Sequence, residues 1–478
     1  MKNILLLFFD QMRFDAIHNS CLQTPHINEL IKDGVFFKRA YTPSPVCVPA
    51  RVSMNYGIYP NTSGCYDNSN CVIEGHKNIF EVLSENGYHT EGIGKMHFSS
   101  DKYALHGFTN RQTQEEIFSP GDNDDYRRYL DENGYDYVFD AHGQRSEMYY
   151  IPQISQLPAK HHPTQWVGDR SVEFIDKYSS DKPFLLMSSF IHPHPPFSPP
   201  TPWNKLYRMG DMPAPFVPDG YLQLLTYYNK KQNRYKCIDD GVNNYTVLTL
   251  KAYYYACISF IDYQIRRIIE TLKNRGLYDS TLIIFASDHG ELLGDYNSYG
   301  KRTMLDSACK IPLFLKAPNL MAGKVCDSPA SLIDIMPTIL TYAGVEYADL
   351  ALQGEDLISV ANGASKRACV FSQLGSNENG LYMIATKDEK YIRSEPDAMD
   401  YYFYGTRQEE RNQFDELRDK AEKLKNSLLA QYLKKERFLN NEPRKISDDK
   451  RTGHIFQDHI GLREREKIIP NGYRVDLR

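Results

Sequence analysis

The chain is expected to fold as an α/β protein, with a large, mostly parallel sheet sandwiched by helices and a small C-terminal α+β subdomain. Three observations predict this. Short, continuous apolar runs such as 4–9, 184–191 and 281–286 lack the alternation of half-buried strands, so both of their faces must be covered. Stretches of helical periodicity separate these runs. Each run also ends in a burst of polar residues, and ligands gather beyond the carboxyl ends of parallel strands.

In chain order, the run 4–9 stops at Asp10 and Gln11. Residues 80–86 read as a helix leading through Gly87 into a strand that ends near Gly94, after which stand Lys95 and His97. Residues 172–178 read as a helix before the strand 184–191, which breaks into His192, Pro193, His194, Pro195 and Pro196. The proline-rich stretch 193–202 is a rigid loop. Residues 253–275 place Ile258, Ile261, Ile265, Ile268, Ile269 and Leu272 at helical spacing, with Gly276 as the C-cap. The strand 281–286 follows, closed by Ser287, Asp288 and His289. After about residue 365 the texture changes: 381–385 and 390–393 flank Asp388 and Glu389 as a hairpin, and 414–437 reads as one charged amphipathic helix. Two domains are therefore expected, 1–365 and 366–478.

With 41% hydrophobic and 24% charged residues among 478, the composition is that of a folded globular protein and excludes a disordered or fibrous one. The 56 basic and 61 acidic residues give a net charge of -5 without long runs of either sign, so no nucleic-acid partner is expected. No stretch approaches the roughly 18 apolar residues that span a bilayer, so no membrane partner is expected either. The apolar start is too short for a signal peptide; if Met1 is the true start the chain belongs in the cytoplasm, and in the periplasm if a leader has been removed. Nine scattered cysteines suit a reducing compartment, with a local Cys65–Cys71 bridge as the other reading. Oligomeric state is not legible.

Cys47-Val48-Pro49-Ala50-Arg51 is the sharpest local signal. Pro49 suits a first helical turn, which places Cys47 just ahead of a helix whose free amides favour an anion. By chance alone about two or three of every hundred chains with this many cysteines would carry such a Cys-x-Pro-x-Arg match. Asp288-His289 and Asp10-Gln11, each following an apolar strand, pair a carboxylate with an imidazole or an amide. Singly they are ordinary turns or caps; together they make a divalent-metal site of mostly hard oxygen ligands.

The chain resembles the formylglycine-dependent sulfatases of the alkaline-phosphatase-like superfamily. The resemblance runs from Asp10 to about Leu357 through ordered motifs: Asp10-Gln11, Cys47 to Arg51, Gly94-Lys95-Met96-His97, Pro193-His194-Pro195-Pro196-Phe197, Ser287-Asp288-His289-Gly290, Gly300-Lys301-Arg302 and Asp334-Ile335-Met336-Pro337-Thr338. It implies that a maturation enzyme oxidises Cys47 to formylglycine, with Ala50 where Ser is more usual. One hydroxyl of the hydrated aldehyde would attack sulfur, and the other would then expel sulfate. The resemblance also implies that Asp10, Gln11, Asp288 and His289 hold a divalent cation, Ca²⁺ by family default with Mn²⁺ or Mg²⁺ as alternatives. Arg51 would orient the diol, Lys95 and Lys301 would clamp sulfate oxygens, and His97 and His194 would face the leaving oxygen. His194 is preferred to His192, for which packing is an equal reading.

Many sulfatases open with two aspartates, whereas Gln11 replaces one carboxylate by an amide. The Asp-Gln and Asp-His combination also resembles the phosphonate monoester hydrolases, which share the formylglycine. The expected substrate is a sulfate monoester of a sugar or other small alcohol, with a non-catalytic anion or metal binder as the alternative from another class. Trp166 and Trp203 are candidates for a sugar cleft or for the core. His161, His162 and 122–125 match nothing in the family and are expected to be solvated loop residues.

Overall fold

In a computed structural model of the chain, residues 2–446 are described apart from 70, 99, 118–121, 146–147, 237–241, 319, 366, 406–408 and 440. Eight strands form the main sheet: β1 (Ile4–Phe9), β2 (Val35–Tyr41), β3 (His89–Gly94), β4 (Asn110–Thr113), β5 (Phe184–Phe190), β6 (Leu282–Ser287), β7 (Leu313–Lys316) and β8 (Lys324–Ser331). Their order is β4-β3-β5-β1-β6-β7-β2-β8. Every pairing is parallel except those of β7, which runs against both β6 and β2.

The uninterrupted apolar runs have the expected cause. Leu5, Leu7 and Phe9 of β1 join a core that includes Ile258, Ile261 and Ile265 of the long helix Asn244–Asn274, while Ile4, Leu6 and Phe8 enter a second core on the other face with Met336 and Ile339 of the helix Ile335–Ala343. The long helix begins nine residues before the expected 253, because Asn243 caps it through Thr246 N–H at 3.0 Å. No helix among the described residues is long and apolar enough to cross a membrane.

A second, antiparallel sheet follows, β9 (Val370–Leu374), β10 (Leu381–Ala385), β11 (Glu389–Ser394) and β12 (Met399–Tyr404), in the order β12-β11-β10-β9. The β10–β11 pair is the expected hairpin. One face of this sheet packs Met383 and Ile392 with Tyr41, Val46 and Met304, and the other packs Tyr382, Ile384 and Tyr391 with Leu424 and Leu428. The expected helix 414–437 is shorter: Arg418–Ser427 is helical, then widens into a π-turn over Leu428–Leu433 that ends at Lys434 with φ 50°. Phe414 lies outside it because Asn412 Oδ1 takes its N–H at 3.0 Å and its ring is buried near Tyr391. Cys65 and Cys71 are not joined by a disulfide, so the local bridge is absent.

Candidate active site

The site residues stand one step beyond aligned strand ends. Phe9 pairs with Phe190 of β5 and with Ser287 of β6, so Asp10, Ile191 and Asp288 emerge side by side. The backbone ladder continues into them: Asp10 N–H donates to Phe190 O, Asp288 N–H to Phe9 O and Lys95 N–H to Ser189 O, each at 3.1 Å. Asp10, Lys95 and Asp288 are thus held in place by sheet geometry.

The helix Cys47–Tyr56 starts at Cys47 itself, one residue earlier than expected. Its first turn is no anion cradle: Val48 N–H donates to Asn68 Oδ1 at 3.0 Å, and Pro49 has no N–H. Cationic side chains serve instead. Lys301 Nζ lies 2.9 Å from Cys47 Sγ and 2.8 Å from Gln11 Oε1, and His289 Nε2 lies 3.3 Å from the same sulfur. Burial and Asp10 disfavour the thiolate, but Lys301, Lys95 and His289 outweigh them and hold Cys47 well below the usual thiol range.

Asp10, Cys47, Asp288 and His289 are all buried, and each offers a ligand atom within 4.8 Å of the others. Two carboxylates, an imidazole and the position-47 side chain fit a divalent cation, and the amide oxygen of Gln11 shares Lys301 Nζ with the Cys47 sulfur. Gln11 holds a left-handed φ of 67°, a conformation that costs on the order of 1–3 kcal/mol unless its surroundings impose it. They do: its N–H donates to Asp288 Oδ1 at 3.0 Å and its carbonyl accepts from Tyr254 OH at 2.9 Å. Its Nε2 donates to Glu291, a buried carboxyl that the motifs did not single out and whose pKa burial pushes up. A carboxylate in place of Gln11 would face Glu291 directly, which is a physical reason for an amide here.

Arg51 is 1% exposed, spread against the Phe8 ring at 4.9 Å, and donates to Asp288 Oδ2 at 3.0 Å and Lys95 O at 2.8 Å. Lys95 reaches Asp10 Oδ2 at 2.5 Å and Glu116 Oε2 at 2.6 Å. Burial opposes the Asp10 carboxylate, yet Lys95, Lys301 and Arg51 keep it well below the usual range. Glu116 is the second residue that sequence reasoning missed. Its other oxygen accepts from Arg145 and lies 3.5 Å from His194 Nε2, and Lys95 and Arg145 overcome burial to hold its pKa well below the usual carboxylate range. The only sequence signal was an acidic pair, Glu115-Glu116, which ordinarily reads as solvated surface.

His97, at φ 54°, presents a ring nitrogen within 4.8 Å of Asp10 and Glu116 oxygens. Burial pushes His194 down to about 3, so its imidazole is neutral near pH 7. The His192 ring lies 4.8 Å from that of His162 at a tilt of 38°, with Nδ1 3.4 Å from Thr164 Oγ1. Two expectations fail nearby. His161 and His162 are buried, with Tyr129 and Thr164 N–H as partners, because they lead into the helix Pro163–Lys177, which His162 caps. Asp124 is also buried, capping the helix Asp125–Glu132 through Arg127 N–H at 2.9 Å. Trp166 belongs to the core and Trp203 stacks on Phe260 at 4.7 Å, so these tryptophans are packing residues.

Glu116 shares the cations that would clamp a tetrahedral oxyanion. Glu116→Gln is therefore expected to tighten product inhibition, lowering the inhibition constant for inorganic sulfate roughly tenfold through relief of like-charge repulsion. An unchanged constant in steady-state assays would mean that Glu116 does not face the bound anion.

A parallel sheet whose carboxyl ends gather a buried cysteine, two carboxylates, an imidazole and two lysines is an arrangement suited to hydrolysis of tetrahedral oxyanion esters. Comparison narrows the class. The family model described as Sulfatase matches residues 2–345. An arylsulfatase of Clostridium perfringens is 30% identical over 84% of this chain and 87% of its own length, and a choline-sulfatase of Rhizobium meliloti is 25% identical over 81% and 77%. A phosphonate monoester hydrolase from Silicibacter pomeroyi shares the fold with a TM-score of 0.78 at 24% identity, covering 91% of this chain and 96% of that one. The chain belongs to the sulfatase family, whose members are sulfuric ester hydrolases.

Proposed function

We propose that this chain hydrolyses sulfate monoesters of sugars or other small alcohols, after a maturation enzyme has oxidised Cys47 to formylglycine. The observation that carries the reading is the meeting of Cys47 Sγ, Lys301 Nζ, His289 and the Asp10 and Asp288 carboxylates at buried strand ends. The sulfur stands where the formylglycine oxygens would be. That group supplies a geminal diol as nucleophile. Asp10, Gln11, Asp288 and His289 would hold the cation, Ca²⁺ with Mn²⁺ or Mg²⁺ as alternatives, which supplies charge neutralisation and a lowered nucleophile pKa.

The chain's own groups do the rest. Arg51, fixed by Asp288 and Lys95 O, orients position 47. Lys95 and Lys301 bind sulfate oxygens, and His194 Nε2 and His97 face the leaving oxygen. A neutral His194 serves that oxygen as a hydrogen-bond partner instead of as an imidazolium acid.

The test has two arms. Peptide mass analysis at position 47 after co-expression with a maturation enzyme is expected to find the aldehyde, and the matured protein is expected to prefer an aryl sulfate to an aryl phosphonate ester. Preference for the phosphonate ester would favour the phosphonate hydrolase reading; an unmodified, inactive thiol would favour the non-catalytic binder. Gln11→Asp is expected to shift the metal preference towards Ca²⁺ and to lower stability by about 1–3 kcal/mol, since the new carboxylate meets Glu291. Identical Ca²⁺ and Mn²⁺ dependence in the two proteins would remove Gln11 from the ligand set.

A further inference from the structure

Beside His194 lies a cluster to which the proposed chemistry gives no task. Tyr149 OH is 3.4 Å from His194 Nε2, Lys236 Nζ sits 3.6 Å from the centroid of the Tyr149 ring, and the Arg145 guanidinium is 5.1 Å from the same centroid. Lys236 is placed there by architecture. It follows directly on the helix Tyr227–Tyr235, where Asn233 Nδ2 donates to Ser298 Oγ at 2.9 Å and Gln232 to Tyr299 O, so the helix is docked on the loop that carries Lys301. Arg145 is paired with Glu116, whereas Lys236 has no carboxylate within salt-bridge distance among the described residues.

A cation drawn out of water is costly unless matched by an anion, and the Tyr149 and Tyr235 rings match it only in part. We propose that Lys236, with Arg145, forms a second anion subsite on Tyr149 that binds a negative group on the leaving alcohol, so that the preferred substrates are sulfate esters of anionic alcohols such as acidic saccharides. This rests on the sulfatase reading, since His194 is what marks the leaving-group side. Burial pushes Lys236 down to about 7, with Arg145, Lys301 and Arg302 adding to the effect and Glu116 opposing it, so the subsite is charged below neutrality and fades above it.

The test uses the matured full chain and three esters: 4-nitrophenyl sulfate, an analogue with a ring carboxylate and one with a ring sulfonate. Wild type is expected to favour at least one anionic ester about tenfold in kcat/KM at pH 6, with less preference at pH 8; which ester it favours tells carboxylate from sulfonate recognition. Lys236→Met is expected to reduce that ratio about tenfold, and Lys236→Arg to keep it. A ratio unchanged in Lys236→Met, or no anionic preference in an active wild type, overturns the subsite. Turnover of none of the three esters overturns the sulfatase reading, and the subsite with it.

Discussion

Cys47→Ala is expected to lower turnover of an aryl sulfate by about 10,000-fold or more while leaving the circular dichroism spectrum unchanged. Side chains that attack the substrate have effects of this order, and what survives comes from binding and charge stabilisation alone. The thiol touches Lys301 Nζ at 2.9 Å and His289 Nε2 at 3.3 Å, and those groups keep other partners when it is gone. Lys301 retains Gln11 Oε1, and His289 Nδ1 retains the Gly290 carbonyl at 3.0 Å. Residual activity above about one per cent would place the nucleophile elsewhere.

The second large effect is expected from Asp288→Asn. One carboxylate here serves two functions: Oδ2 takes Arg51 Nε at 3.0 Å, and Oδ1 takes the backbone N–H groups of Gln11 at 3.0 Å and His289 at 2.9 Å. An asparagine keeps one oxygen for the two amides but loses the charge that faces Arg51 and would face the proposed cation. Bound divalent metal should fall well below one per chain, and kcat/KM should drop about 1,000-fold or more. The buried guanidinium, left with a weaker partner, should reduce unfolding free energy by about 1–3 kcal/mol in urea titrations. Stoichiometric metal and an unchanged urea midpoint in the variant would separate Asp288 from the cation and from Arg51 alike.

Much of this site was legible because it hangs on strand ends. Ile4–Phe9 is apolar at every position, so its end is unambiguous, and the first polar residues after it, Asp10 and Gln11, stand at the sheet's carboxyl edge. The same logic reaches Lys95, His194 and Asp288. Glu116 and Glu291 were not legible for the complementary reason: each is engaged by partners distant in sequence, Lys95 and His194 for one, Gln11 for the other, and no local periodicity announces a charge that is matched from afar. Asp124 and His162 were misread because a capping residue in a polar stretch looks like solvated loop until the helix it starts is seen to be buried. The antiparallel β7 escaped as well, since a four-residue apolar strand has the same pattern in either direction.

The depth of Cys47 bears on timing during biosynthesis. Cys47 and Arg51 are each 1% exposed, and the strands that flank them are drawn from residues as far apart as Ile4 and Ser331. A catalyst that must grip the extended stretch from Cys47 to Arg51 has no approach to it once the sheet has closed. The oxidation proposed at position 47 would therefore compete with folding, its window opening when the stretch leaves the ribosome and shutting when β6, more than 200 residues later, docks beside β1. At roughly 5–20 residues per second that interval lasts on the order of ten to fifty seconds. Chains that fold before oxidation would form a population closed to it, and the active fraction of a preparation would then be a record of that race.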